Sequence, residues 1–158
     1  MTIERLELLA CAKLNLFLHV TGRREDGYHL LQTVFQLVDL CDTVVLEPAP
    51  AGEIVFLPGS DAPGGDDDLT LRAARRLAEA AGVRAGVRIG LTKRIPAGGG
   101  LGGGSSDAAT VLRGLDRLWG LGLGLDALAE LGAGLGADVP VFVRGRTAWG
   151  EGVGERLT

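Results

Sequence analysis

"PAGGGLGGGSSDAATVL", residues 96–112, sets six glycines in the seven positions from Gly98 to Gly104 and then turns into sequence of helical spacing. Upstream, "GVRIGLTKRIP" alternates Val87, Ile89 and Leu91 in the manner of a strand. Downstream, Ala108, Val111, Leu112, Leu115, Leu118 and Trp119 fall on one helical face, which makes Trp119 a core residue. A flexible linker would carry spare residues before the next element, whereas here strand, glycines and helix abut. Free N–H groups at a helix N-terminus attract an anion, and glycine lets a bulky one approach the backbone. Ser105 and Ser106 add hydroxyls and a helix cap. The stretch reads as a phosphate cradle, with a plain structural turn as the alternative.

Two familiar phosphate loops do not fit. A Walker A motif needs a lysine just before the serine, and Gly104 stands there. The G-x-G-x-x-G pattern matches at Gly98, Gly100 and Gly103, but a dinucleotide fold needs a second strand ending in an acid about twenty residues on. That region has helical spacing instead.

Outward from the loop, "GGDDDLTLRAARRLAEAAG" predicts a helix with Asp66–Asp68 at its N-terminus and Gly82 at its close. "LDALAELGAGLG" predicts a weaker helix. From Leu6 to Val20 every even position is apolar, a period-two pattern for a half-buried strand or two strands in line. The odd positions include Lys13, Asn15 and His19, polar groups for a cleft or solvent, with His19 read as structural. "TGRREDGY" is a turn between antiparallel strands, "TVFQLVDL", "DTVVLEP" and "EIVFLPG" are strand-like, and "VPVFVRG" and "TAWGEGVG" read as closing strands. The pattern is α+β within one domain, since 158 residues leave no room for a second of ordinary size.

A net charge of −4, with acids and bases interspersed, argues against nucleic acid or an anionic membrane as partner and for a small molecule. Glu4 and Glu7 interrupt what a secretory leader would need, and Asp126 and Glu130 interrupt the longest apolar stretch before it could cross a bilayer. Cys11 and Cys41 have no metal or redox spacing and read as buried thiols in a reducing cytoplasm. Nothing in the pattern fixes an oligomeric state.

The glycine stretch resembles the P-x-x-x-G-L-G-x-x-S-S loop of the GHMP kinases. "AKLNLFL" (Ala12–Leu18), "REDGYHLLQT" (Arg24–Thr33) and "LGADVPVFVRG" (Leu135–Gly145) narrow the resemblance to the 4-diphosphocytidyl-2-C-methyl-D-erythritol kinases of non-mevalonate isoprenoid synthesis. It runs from about Ala12 to the last residue. It implies the ribosomal protein S5 domain 2-like fold, ATP and Mg²⁺ as cofactors, and phosphorylation of the 2-hydroxyl of a diphosphocytidyl methylerythritol.

By the same resemblance Asp138 is the base for that hydroxyl and Lys13 its charge partner, with Asn15 on the same strand face binding the polyol. Tyr28 and His29 hold the cytosine. Pro96, Gly98, Gly99, Gly100, Leu101, Gly102, Gly103, Gly104, Ser105 and Ser106 hold ATP, and Asp68 stands where the family has an adenine-binding asparagine. An ionised aspartate accepts hydrogen bonds but donates none, which changes how that position can treat a base. No metal ligand is assigned, although Ser105 and Ser106 are candidates. Read on their own, Asp138 as a cap or ion-pair residue and Lys13 as a solvated strand residue remain alternatives. A homoserine or mevalonate kinase, or a non-catalytic binding domain on the same fold, are the rival functions. The family carries a second, ferredoxin-like domain that closes the cleft; the expectation is that residues 1–158 are its N-terminal partner alone.

Overall fold

A computed structural model describes residues 2–158. Two long strands dominate it: β1 (Leu6–Arg23) and β2 (His29–Ala49) pair antiparallel through the turn at residues 24–28. "TVFQLVDL" and "DTVVLEP" are thus one continuous strand. On its other side β2 pairs with β4 (Gly86–Thr92) along one half and with β5 (Ala148–Glu151) along the other. Short β3 (Ile54–Phe56) runs parallel to β4, and β6 (Arg156–Leu157) pairs with β5. The result is a six-stranded mixed sheet.

Helices α1 (Leu69–Ala81) and α2 (Gly103–Leu118) pack together and against the sheet. Leu71 and Leu77 of α1 and Leu112 and Leu115 of α2 meet Val44, Leu46, Val87 and Ile89 of the strands, all buried in one core. Alternation along β2 and β4 produces this, because period two sends every second residue to the helix-covered face. Asp68 caps α1 by accepting from the Thr70 N–H, and Gly82 ends it in the left-handed conformation, both as the sequence predicts. Helix α3 (Gly124–Ala133) follows.

"VPVFVRG" is a helix, α4 (Val139–Arg144), and not a strand. Five of its six residues, Val139–Val143, are buried between other helices, so an unbroken apolar run carries no period to distinguish the two. Pro140 sits in the first turn, where a missing N–H costs nothing, and Gly145 closes the helix at φ 70°.

The even-numbered apolar face of β1 is also corrected. It holds as far as Ala12, with Leu6, Ala10 and Ala12 buried. Between Cys11 and Lys13 the register with β2 shifts, so Ala12 and Lys13 are both buried. Beyond the bulge the faces exchange: Leu14, Leu16, Leu18 and Val20 are 44–61 % exposed, and Lys13, Asn15 and Phe17 turn inward.

Candidate functional site

The bulge in β1 carries Lys13 into the interior. Its N–H donates to the carbonyl of Leu101 at 3.0 Å, which ties the strand to the glycine loop. Its side chain is 6 % exposed. The ammonium donates to Asn15 Oδ1 at 2.5 Å, lies 3.4 Å from Asp138 Oδ2, and stands 5.6 Å from the centroid of the Phe35 ring. Asn15 Nδ2 donates in turn to Thr33 Oγ1 at 2.8 Å. The expected grouping of Lys13, Asn15 and Asp138 is therefore present.

Asp138 stands at the N-terminus of α4, yet its carboxylate makes no capping hydrogen bond. A third of its side chain is exposed, and the alternative of a simple cap falls. Gly154, at φ 110°, faces it with only a hydrogen: a Cβ there would lie 3.6 Å from Asp138 Oδ1. The carboxylate is thus fixed by one buried cation on one side and open on the other, the arrangement a proton acceptor needs. Gly154 was not singled out from sequence.

The glycine run separates into two kinds of position. A Cβ on Gly102 would strike the Phe142 ring at 2.7 Å and approach Lys13 Cε at 3.3 Å, so this glycine, with φ 72°, lets α4 and β1 close against the loop. Gly103 is similarly pressed by Ile95 and Lys93. Gly98, Gly100 and Gly104 face open space. Gly104 lies within α2 with ordinary helical φ, where alanine would favour the helix, and its missing side chain widens a cavity of about 390 Å³. Lys93, Ile95, Leu101 and Ser105 are among the residues lining that cavity, at the N-terminal end of a sixteen-residue helix.

Helix α2 begins at Gly103 with Gly102 as its cap, so Ser105 and Ser106 lie inside the first turn and do not cap it. Ser105 lines the cavity. Ser106 is buried and donates to the Cys11 carbonyl at 2.7 Å, stapling helix to strand. Pro96 and Gly99 are exposed at the start of the loop.

Sequence reasoning missed the buried charges beneath the loop. Asp42, fully buried, accepts from Lys93 Nζ at 2.5 Å and from the N–H groups of Arg94 and Ile95. Asp107 of α2, 2 % exposed, accepts from the same Lys93 Nζ at 2.7 Å. Burial pushes Asp42 upward, but Lys93 and the two backbone donors overcome it and hold the group below the ordinary carboxylate value. Asp107 has no backbone donors. Burial, only partly opposed by Lys93, pushes it up to about 7, and its Oδ1 is buried without a partner.

Tyr28 is 62 % exposed at the end of the β1–β2 turn and lines a second cavity with Ala133–Ala137, Val153 and Glu155, next to Asp138. His29 is exposed on the ladder opposite Arg23 and does not line it. The ring of exposed His19 lies 5.1 Å from that of Phe17 at a tilt of 53°, and Trp119 packs on the core while its Nε1 donates to the Gly86 carbonyl. The carboxylate of Asp68 accepts from Thr70 N, Thr70 Oγ1 and Gly64 N. It is engaged by its own helix and does not line the loop cavity.

Cys11 and Cys41 are not free thiols. They are half-buried cross-strand partners joined in a disulfide, because the β1–β2 register sets them directly opposite one another. Among the described residues no cluster of three or more His, Cys, Asp or Glu could hold a metal, and no helix is long and apolar enough to cross a membrane.

Residues 68–146 match the family model described as GHMP kinases N terminal domain. The chain is 68 % identical over 151 residues to a 4-diphosphocytidyl-2-C-methyl-D-erythritol kinase of Xanthomonas euvesicatoria pv. vesicatoria (strain 85-10), covering 94 % of this chain and 51 % of that protein. A crystal structure of 4-(cytidine 5'-diphospho)-2C-methyl-D-erythritol kinase superposes with a TM-score of 0.84 at 50 % identity, over 97 % of this chain and 54 % of the other. The mevalonate kinase of Methanococcus jannaschii superposes at 0.65 and 18 % identity, over 98 % and 55 %, a likeness of fold alone. The chain spans about half the length of the curated relatives it matches.

Proposed function

Since the chain belongs to the GHMP kinase N-terminal domain family, whose members use ATP, we propose that it is the ATP-binding half of a kinase for 4-diphosphocytidyl-2-C-methyl-D-erythritol. The observation that carries this reading is the Lys13–Asp138 pair, 3.4 Å apart, with Lys13 packed against Gly102 of the glycine loop. Phosphoryl transfer is mainly positioning and charge stabilisation. Asp138 accepts the proton of the acceptor's 2-hydroxyl, and Lys13 offsets the charge that develops on that oxygen. Asn15 and Tyr28 line the acceptor side of the site, and the backbone from Gly98 to Gly104 faces the phosphates. His29 reaches the cytosine only by a turn of its side chain from the ladder.

Ser105, whose hydroxyl lines the cavity, would be the protein's oxygen ligand to Mg²⁺, since Ser106 is committed to the Cys11 carbonyl. The ion would neutralise phosphate charge. Asp68, tied to α1, leaves base recognition to neighbouring groups. Residues 1–158 act as one domain, and a second domain covers the exposed leucines of β1 and closes the site against water. The acceptor is a small molecule, and the proposed place of action is the cytoplasm.

The test is ADP release by the complete enzyme, offered the cytidylylated methylerythritol, homoserine and mevalonate in turn. Turnover of the first alone is expected; comparable turnover of either rival overturns the substrate assignment. No turnover of any, with a functional fold, returns the chain to a binding role.

A further inference from the structure

Lys13 and Asn15 do not hold their positions unaided. The carbonyl of Phe17, inside the second register shift of β1, accepts from the hydroxyl of Thr33 at 2.5 Å. Thr33 is fully buried, paired on one side with Leu18 of β1 and on the other with Gly150 of β5, and its methyl would lie 3.2 Å from a Cβ on Gly150. A residue so pinned cannot redirect its side chain without disturbing both ladders.

The hydrogen bonds from this point have one direction. A carbonyl only accepts, so the single proton of Thr33 goes to Phe17 and its remaining lone pairs accept from Asn15 Nδ2. With Nδ2 committed, Asn15 Oδ1 must face Lys13, and an ammonium can only donate to it. The reversed amide would set acceptor against acceptor at Thr33 and donor against donor at Lys13. We propose that Thr33 is a positioning residue that fixes the ammonium of Lys13 beside Asp138 by dictating the orientation of the Asn15 amide. This rests on the kinase reading of the Lys13–Asp138 pair. A valine has nearly the same shape and suits the strand at least as well, but it would leave the Phe17 carbonyl and Asn15 Nδ2 without their partner, so the hydroxyl serves these bonds and not the packing.

The test is a set of four variants of the complete enzyme: Thr33→Val, Thr33→Ser, Asn15→Ala and the Thr33→Val/Asn15→Ala double. Thr33→Val is expected to lower kcat about 10- to 100-fold, with KM for ATP within about twofold of the parent. Thr33→Ser should restore kcat to within about threefold. In the Asn15→Ala background, Thr33→Val should change kcat less than about twofold, because the intermediary is gone. An unchanged kcat in Thr33→Val, equal damage in the serine variant, or full damage persisting without Asn15 would each overturn the proposal.

A second reading needs no turnover: the side-chain amide signals of Asn15 in ¹H–¹⁵N spectra of the 158-residue chain. They should be protected from exchange in the parent and in Thr33→Ser, and lose that protection in Thr33→Val. Failure of the kinase reading would leave the parent enzyme silent with every acceptor while these signals still responded. Signals indifferent to the hydroxyl would overturn the positioning role itself.

Discussion

Two lysines reach toward the glycine loop, and they are built in opposite ways. Lys13 is buried, and its carboxylate partner Asp138 is one-third exposed. Lys93 is one-fifth exposed, and its partners Asp42 and Asp107 are sealed. In the first pair the cation is the fixed part and the acid is offered to the cleft. In the second the acids are fixed parts, and the cation joins β2 to α2 beneath the loop. An ion pair whose acid stays accessible can exchange a proton with a ligand; one whose acids are enclosed can only hold elements together or strain them. The difference separates an accessible acid from enclosed ones within a few residues of one loop.

The sharpest way to break this contrast is Asp138→Asn in the complete enzyme. We expect kcat to fall by roughly 10² to 10⁴, as for loss of a general base, with a smaller fall in Tm because the buried Lys13 ammonium loses its one carboxylate neighbour. A fall in Tm with kcat retained would make Asp138 scaffolding too. Asp42→Ala should do the reverse. It strands the Arg94 and Ile95 N–H groups and half the pairing of Lys93, and should cost about 3–5 kcal/mol in denaturant unfolding.

Gly104→Val sharpens the division inside the loop. A Cβ there meets nothing of the protein, so Tm should hold or rise slightly while ATP affinity drops by about tenfold or more in a titration. Gly102→Ala should instead lower Tm, because its Cβ collides with Phe142 and strains a left-handed backbone. Equal affinity for Gly104→Val and parent would make the cavity incidental.

The smallest effect belongs to Asp107. Its value of about 7 in the folded chain against an ordinary 3.8 means the folded state binds the extra proton between those limits. Stability is therefore fully supported below pH 4, declines as pH rises toward 7, and is flat beyond. Asp107→Asn should match the parent near pH 3 and melt a few degrees higher at pH 8. An equal difference at both pH values would show that the carboxylate does not titrate there.

Local signals were legible wherever one neighbourhood decides the outcome. The acids before α1, Gly82 after it, the alternation of β4 and the passage from strand through glycines to helix all appear as read. What escaped depends on distant partners. Asp42 and Lys93 are 51 residues apart, and no spacing announces their contact. Asp107 did leave a trace, since it shares a helical face with Val111 and Leu115 and so had to be buried. The even-odd pattern of β1 is unbroken in sequence, and only pairing with β2 reveals the slip at Ala12. That Lys13 and Asp138 would meet was expected through resemblance alone, because an isolated lysine and an isolated aspartate look like any surface charge.

The slip in β1 also decides how the chain behaves in a tube. It leaves Leu14, Leu16, Leu18 and Val20 on the surface of a strand whose outer edge, among the described residues, is met by the loop only near its middle. A row of aliphatic side chains along a free backbone edge invites a second copy to stack or pair, and a net charge of −4 is modest protection. Prepared alone, these 158 residues should associate as they are concentrated, and a Leu16→Lys substitution in the middle of the row should keep them apart.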